Sequence, residues 1–176
     1  MRFTPTPIAG AWIIEVEPVS DARGSFARTI CAREFAQRGL ATSFVQHSRS
    51  LNFGKGTLRG LHLQRPPHAE AKLIACIRGA VYDVCVDMRP DSATFRQWFS
   101  VELTQGNERQ FYLPEGCAHG FQTLADNSEI HYAMSNFYAP DAAFGYRWND
   151  PAFAIDWPLA PTVMSAKDEE WPLLEA

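Results

Sequence analysis

The chain has 176 residues, of which 46% are hydrophobic, and carries a formal net charge of −4. This length predicts a single domain over residues 1–176 with a core of its own. The acidic balance argues against a nucleic-acid or membrane-surface binder. The sequence has neither a bilayer-length apolar run nor the apolar stretch of a signal peptide, so we expect a cytoplasmic protein.

The N-terminal third predicts a few short elements. Residues 11–17 predict a strand, and residues 20–24 (Ser-Asp-Ala-Arg-Gly) predict a turn. A helix is predicted over residues 31–38, with Gly39 as its C-terminal cap. Short strand-like runs separated by turn residues follow, which is typical of an all-β sandwich or barrel.

The run over residues 57–64 predicts a strand that ends in a turn stiffened by Pro66 and Pro67. Alternate side chains of a strand point to opposite faces. We therefore expect these side chains to share one face: Leu58, Gly60, His62 and Gln64. Gly60 would leave space beside the imidazole of His62, and a second strand starting near Lys72 would bring an ammonium group back to the same region. A base and a cation that converge on a hollow indicate a site for chemistry.

Three later runs alternate as strands do. Residues 81–88 place four apolar side chains on one face and Asp83 and Asp87 on the other, and residues 95–103 carry an apolar face interrupted by Gln97. Residues 129–138 are predicted to present these side chains on one face: Ile130, Tyr132, Met134, Asn136 and Tyr138. Two phenols could then point into a barrel. From residue 139 the sequence predicts a loop-like tail packed over that barrel.

Four cysteines lie far apart in the chain, without a Cys-x-x-Cys pair: Cys31, Cys76, Cys85 and Cys117. In a chain without an export signal, this pattern predicts four buried, reduced thiols.

Two short patterns indicate the architecture. Gly56 to Gln64, with Glu70 and Gly79 following, resembles the first cupin motif, and residues 114–119 (Pro-Glu-Gly-Cys-Ala-His) resemble the second. Together, about fifty residues apart, they predict an all-β, cupin-type jelly-roll barrel with a short N-terminal helix and a loop-rich C-terminal tail. Gln64 stands where metal-binding cupins have a second histidine, and first-row ions bind a neutral amide less well. We therefore expect no metal.

A longer series of segments resembles the dTDP-4-dehydrorhamnose 3,5-epimerase family. The matching segments are residues 58–67 (Leu-Arg-Gly-Leu-His-x-Gln-x-Pro-Pro), 72–73, 83–89, 92–95, 114–121, 138–140, 148–151 and 165–168. The similarity runs from about Phe3 to Leu173, in the family's order. The resemblance implies a homodimer without metal or organic cofactor. It also implies a nucleotide-linked, dTDP-type 4-keto-6-deoxyhexose substrate, inverted at C3, at C5 or at both.

Epimerisation beside a ketone needs a base on one face of the sugar, an acid on the other, and a cation or hydrogen-bond donor at the enolate oxygen. The resemblance implies that His62 is the base and that Asp168 orients it and stabilises its protonated form. It further implies that Tyr132 returns a proton from the opposite side, while Lys72 holds the enolate oxygen.

Other interpretations of these residues stay open. Tyr132 could simply fill the barrel, and Tyr138 is a rival for the acid. Asp168 lies in a charged run, residues 167–170, where solvent exposure is the ordinary expectation.

The resemblance also implies a set of residues that bind the substrate: Arg23, Phe26, Gln46, Arg59, His119 and Tyr138. Arg59 matches the family's phosphate-binding arginine, since guanidinium binds phosphate oxygens bidentately. Phe26 could stack on the nucleobase or be a core residue. Gln46 matches a glutamine near the sugar or base. His119 either touches the substrate or its phosphates, or hydrogen-bonds the base.

The chain departs from the family's pattern at three positions. The family usually has asparagine at the position of Ser48, often glutamate at that of Arg28, and usually tyrosine at that of Leu63. The first two changes remove an amide and reverse a charge near the nucleotide end, so they bear on which base is accepted.

Two other functions compete with the epimerase. One is a metal-dependent cupin enzyme, which would use His62, Glu70 and His119; the other is a cupin that only binds a sugar nucleotide. The remaining histidines, His47, His68 and His131, are interpreted as structural.

Overall fold

The computed structural model describes residues 1–174, and most of its regular structure is β-strand. The strands are β1 (Arg2–Pro5), β2 (Trp12–Glu15), β3 (Val19–Asp21), β4 (Gly24–Phe26), β5 (Gln46–Asn52), β6 (Leu58–Gln64), β7 (Lys72–Arg78), β8 (Ala80–Asp87), β9 (Trp98–Thr104), β10 (Arg109–Leu113), β11 (Cys117–Thr123), β12 (Ser128–Met134) and β13 (Ala143–Gly145). The α-helices are α1 (Ala32–Ala36) and α2 (Ala166–Glu170), and a 3-10 turn covers Pro140–Ala142. Within this part of the chain, every helix is too short to cross a bilayer.

Two antiparallel sheets form the barrel. The six-stranded sheet has the order β1-β2-β10-β7-β12-β5, and the five-stranded sheet has the order β13-β6-β11-β8-β9. The core between them draws buried side chains from both sheets, including Ile74, Phe111 and Ile130 from one and Val81 and Phe121 from the other. Each such side chain contributes about 1.5–3 kcal/mol by leaving water. The predicted all-β jelly-roll barrel with a short N-terminal helix is confirmed.

The alternation predicted for residues 81–88 is confirmed in β8. Val81 and Cys85 point into the barrel core, whereas Val84 and Val86 lie in a second apolar cluster on the other face of the five-stranded sheet. Phe153 and other residues of the C-terminal tail cover that second face. The tail therefore packs over the barrel as predicted, but it is not loop throughout, because it also supplies β13 and α2.

Several predicted boundaries differ from the observed ones. The first predicted strand is confirmed as the shorter β2, and the strand predicted from residue 95 begins only at Trp98. Residues 20–24 are not simply a turn, because they belong to the two-stranded hairpin β3–β4. The helix ends before Gly39, whose φ of +69° is the left-handed conformation expected of a glycine cap.

The prediction of four buried thiols is correct for three. Cys76, Cys85 and Cys117 are buried, whereas Cys31 is half-buried, and all four are reduced.

The face assignment for β6 was wrong because the strand carries a β-bulge. His119 of β11 pairs with His62, and Phe121 pairs with Arg59, so Gly60 and Leu61 together oppose one residue of β11. The extra residue reverses the alternation. Arg59 and His62 consequently line the barrel interior. Alternation along the strand then puts Leu58, next to Arg59, on the opposite face.

Gly60 has a different role from the one expected. A Cβ atom at this position would lie 2.6 Å from the Cα of Gly120, and its φ is +128°. Glycine is therefore required here for close approach of two backbones, rather than to leave space beside His62.

Candidate active site

His62 stands at the junction of two cavities. The outer cavity, of about 300 Å³, lies between β6 and the C-terminal tail, and the inner one, of about 270 Å³, lies inside the barrel. Arg59, His62 and Lys72 line both cavities. The imidazole is 42% exposed, so a ligand in either cavity can reach it. Volumes of this size suit a small-molecule site.

Asp168 hydrogen-bonds the imidazole of His62. His62 Nε2 lies 2.6 Å from Asp168 Oδ1, while Oδ2 accepts the backbone N–H of Gly60 at 3.3 Å. An ionised carboxylate only accepts hydrogen bonds, so in the neutral imidazole Nε2 carries the hydrogen and Nδ1 carries the lone pair. Although burial by itself raises the pKa of Asp168, the hydrogen bond and charge of His62 and the Gly60 amide hold this pKa below its usual range.

The local sequence explains how Asp168 reaches that position. Ser165 caps α2, and its hydroxyl accepts the backbone N–H of Asp168 at 3.2 Å. The carboxylate is buried, whereas Glu169 and Glu170 of the same charged run are exposed. The surface interpretation of the run therefore holds for its glutamates and not for Asp168.

Lys72 enters the site from the opposite sheet. Its Nζ donates to the carbonyl oxygen of His62 at 3.1 Å and lies 3.3 Å from Oε1 of Glu70. Burial lowers the pKa of Lys72, and the Glu70 carboxylate opposes that change.

Tyr132 lines the inner cavity from β12, so it and His62 belong to facing sheets. Its ring packs edge-on against His119, with centroids 5.9 Å apart. Burial, together with the nearby charge of Asp83, raises the pKa of Tyr132 well above its usual range, so the phenol stays protonated.

Tyr138 does not share a strand face with Tyr132, contrary to the prediction. Strand β12 ends at Met134, and Tyr138 follows in a loop, 61% exposed, where it lines the outer cavity. The amide oxygen of Gln46 accepts the backbone N–H of Tyr138 and so fixes this loop.

His119 lies deeper in the barrel. Its Nε2 is 2.9–3.0 Å from both carboxylate oxygens of Asp83, and both residues are buried. Burial raises the pKa of Asp83, and the charge of His119 counteracts this. His119 lines the inner cavity, where it can contact a ligand, but within residues 1–174 no side-chain hydrogen bond joins its imidazole to that of His62.

A hydrogen bond orients the Arg59 side chain at the boundary of the two cavities. Its Nε donates to Oδ1 of Asn52 at 2.7 Å. Ser48 lines the inner cavity and Leu63 the outer one, so two of the three departures from the family pattern lie at the site.

Arg23 and Phe26 lie elsewhere in this chain. Both belong to the hairpin β3–β4, which lines neither cavity around His62. The Arg23 side chain is 90% exposed and pairs with Asp21 at 2.6 Å, while Phe26 is 80% exposed. The interpretation of Phe26 as a core residue is therefore wrong.

The residues of the metal alternative do not converge. His62 pairs with Asp168, Glu70 with Lys72, and His119 with Asp83. Across the described chain, no group of three or more His, Cys, Asp or Glu side chains is arranged to hold a metal ion. This donor set does not fit a cupin metal centre.

Sequence reasoning did not assign three residues that support the site: Asp83, Asn52 and Ser165. For Asp83 the alternation was misleading, because it puts this carboxylate opposite the apolar face of the strand, whereas the structure buries it in the barrel interior. Ser165 stands three residues before Asp168, which is the spacing of a helix cap. For Asn52 the sequence carries no signal, since Asn52 and its partner Arg59 lie on strands of different sheets, which meet only in the folded barrel.

Comparison with known proteins identifies the family of this chain. The model of the dTDP-4-dehydrorhamnose 3,5-epimerase family matches residues 5–176. The enzyme of that name from Methanothermobacter thermautotrophicus is 42% identical over 178 residues, covering 99% of this chain and 95% of its own.

Solved structures of the same fold are also found. The dTDP-4-dehydrorhamnose 3,5-epimerase of Elizabethkingia anophelis superposes with a TM-score of 0.94 at 38% identity, covering 98% of this chain and 96% of its own. The dTDP-6-deoxy-D-glucose-3,5-epimerase of Legionella pneumophila, in complex with dTDP-4-keto-L-rhamnose, has a TM-score of 0.92 at 38% identity and covers 98% and 92%. The chain therefore belongs to the dTDP-4-dehydrorhamnose 3,5-epimerase family of carbohydrate isomerases.

Proposed function

We propose that the protein, as a single cupin domain, inverts C3, C5 or both carbons of a dTDP-linked 4-keto-6-deoxyhexose, without a metal or organic cofactor. The observation that carries this proposal is the His62–Asp168 contact of 2.6 Å at the junction of the two cavities. The relative solved with dTDP-4-keto-L-rhamnose supports the nucleotide sugar as substrate.

The reaction would proceed through an enolate. Nδ1 of His62 takes the proton from the carbon beside the ketone, and Asp168 stabilises the imidazolium that forms. The electron pair moves onto the ketone oxygen, where the Lys72 ammonium stabilises the negative charge. Tyr132 then protonates the carbon from the opposite sheet, which inverts the centre, and solvent restores both groups. Each proton-transfer group contributes on the order of 10²- to 10⁴-fold in rate.

The diphosphate would be bound by Arg59, whose guanidinium faces the same cavities as His62. His119 and Tyr138 would contact the sugar nucleotide from the inner and outer cavity, respectively. Gln46 would act through the Tyr138 loop, because its amide oxygen accepts the backbone N–H of Tyr138.

We further propose a homodimer in which the hairpin β3–β4 of one chain completes the site of the other. Arg23 and Phe26 match substrate-binding residues of the family, yet they are exposed and line neither cavity of their own chain. Exposed Val19, at 75%, extends the apolar surface of this hairpin. A second chain would cover that surface and give Arg23 a substrate to bind.

The decisive test of the chemistry is hydrogen exchange in heavy water. With dTDP-4-keto-6-deoxyglucose, NMR should show deuterium entering at C3, C5 or both, which also counts the inverted centres. His62→Ala should abolish exchange, whereas His47→Asn, an exposed imidazole outside both cavities, should leave it unchanged. Exchange at the normal rate in folded His62→Ala would refute the assigned base.

The shared site has its own test. Light scattering should give the mass of two chains. Co-expressed His62→Ala and Arg23→Ala chains should recover about a quarter of wild-type activity, since half of randomly mixed dimers are heterodimers with one intact site. If both variants alone and together stay inactive, the hairpin does not act on the partner's site.

A further inference from the structure

The Lys72 ammonium occupies a nearly dry position. Lys72 is one of three lysines in the chain. The residue as a whole is 8% exposed, whereas Lys55 and Lys167 lie at the surface. A buried ammonium is unfavourable unless a counter-charge and hydrogen bonds replace the lost water. Lys72 therefore requires a negatively charged group beside it inside the protein.

Glu70 is in direct contact with this ammonium. Its Oε1 lies 3.3 Å from Lys72 Nζ, and its Oε2 accepts a hydrogen bond from Gln64 Nε2 at 3.3 Å. Both side chains of the ion pair are 10% exposed. Each carboxylate oxygen therefore has a partner inside the protein.

The partner of Oε2 is itself rigidly held. The two N–H groups of the Gln64 amide are shared among three acceptors, because they also reach the carbonyl oxygens of His68 at 2.9 Å and Phe137 at 3.1 Å. The amide oxygen accepts the N–H of Ala139 at 2.6 Å. Three backbone contacts thus fix the amide that orients the carboxylate.

Other charged groups near Lys72 are already paired. From β8, Asp83 faces the barrel interior, but it is bound to His119, and burial keeps the thiol of neighbouring Cys85 uncharged. Asp168 is bound to His62. Arg59 lines the same cavities and adds positive charge, and Tyr132 stays neutral. Among residues 1–174, Glu70 is the one carboxylate within ion-pair distance of Lys72.

An ammonium group has three N–H donors. One is directed to the His62 carbonyl oxygen and one to Glu70, which leaves the third for the cavity. We propose that Glu70 is a positioning residue that keeps Lys72 charged and aims its free N–H at the substrate oxygen. The consequence for the rate rests on the proposed function, in which Lys72 stabilises the enolate.

The direct test is the titration of Lys72 in Glu70→Gln, followed by NMR of the lysine Cε atoms labelled with ¹³C. With three lysines, the Lys55→Arg and Lys167→Arg variants identify the Lys72 signal. The isosteric amide removes the charge. Its oxygen can still accept from Lys72, but its NH₂ group cannot accept the bond from Gln64. The ratio of ammonium to amine should fall at least about tenfold at a given pH. An unchanged titration in the folded variant would overturn the proposal.

The matched control is Glu129→Gln. Glu129 is buried to a similar degree, with 12% of its side chain exposed, but it pairs with Arg49 and Arg78. Its loss should leave the Lys72 titration unchanged. Should Glu70→Gln fold poorly, Glu70→Ala with added acetate provides a second measurement. Acetate should restore the ammonium form if the missing group is a carboxylate, and no restoration would count against Glu70.

Exchange kinetics separate this proposal from the proposed function. The alkaline limit of deuterium exchange should move to lower pH in Glu70→Gln, with little change in rate below it. If Glu70→Gln shifts the titration of Lys72 but not the alkaline limit of deuterium exchange, Glu70 is the counter-ion of Lys72 and the proposed role of Lys72 in the reaction is refuted. If wild-type protein exchanges no deuterium, the proposed function fails, and the titration still decides the role of Glu70.

Discussion

Asp168→Asn changes one atom in the contact on which the proposed base depends. In the wild type, Oδ1 accepts from His62 Nε2 at 2.6 Å and Oδ2 accepts from the Gly60 N–H at 3.3 Å. An asparagine that keeps the Gly60 bond must turn its NH₂ group towards the imidazole. Nε2 then becomes the acceptor, and the ring hydrogen moves to Nδ1, the atom that should take the substrate proton.

The expected loss has two parts. A charge-assisted hydrogen bond is worth about 1.5–3 kcal/mol, which by itself slows the reaction roughly 10- to 150-fold. The wrong tautomer adds to this, so we expect kcat to fall by roughly 10²- to 10⁴-fold with KM little changed. The assay is deuterium exchange under single-turnover conditions, with Glu169→Gln on the same helix as control. A folded Asp168→Asn enzyme within about threefold of wild type would refute this account of the base.

Three further predictions follow from the same geometry. In Tyr132→Phe, the rate of inversion should fall by roughly 10²- to 10⁴-fold, while deuterium still enters recovered substrate. If NMR shows that inversion and exchange fall equally, Tyr132 is not a separate acid. The rate should decline at alkaline pH as Lys72 loses its proton, because burial lowers the pKa of Lys72 and raises that of Tyr132. If Tyr132→Phe displaces the alkaline limb of the kcat–pH profile, Tyr132 and not Lys72 sets that limb. Gly60→Ala puts a Cβ 2.6 Å from the Gly120 Cα, so unfolding free energy should fall by about 2–4 kcal/mol and the melting temperature by about 5–15 °C. Gly106→Ala, with open space around it, is the control, and an equal melting temperature for both variants would refute the argument.

The fold could be predicted wherever a strand's own pattern decides its faces. In β8, side chains alternate between the barrel core and the cluster under the tail, and that period of two is visible in the sequence. In β6 the same reasoning failed. The bulge opposite Gly120 depends on how β11 approaches, which the residues of β6 do not encode alone.

The site follows the same division. Residue types and family resemblance pointed to His62 and Asp168, but their contact joins positions 106 residues apart, and only tertiary structure brings them together. The Asn52–Arg59 bond spans only seven residues, but it joins strands of different sheets, so it also depends on the tertiary structure. The catalytic roles of His62, Tyr132, Lys72 and Asp168 stay predictions, which the exchange experiments test.

The carboxylate that orients the proposed base belongs to a five-residue helix rather than to the barrel. A helix this short is marginal by itself, so its position depends on docking against β6. If α2 undocks, the enzyme should lose activity while both sheets remain folded. In a urea titration, enzymatic activity should therefore be lost at a lower urea concentration than the circular dichroism signal of the strands. Activity thus reports whether α2 is docked against β6.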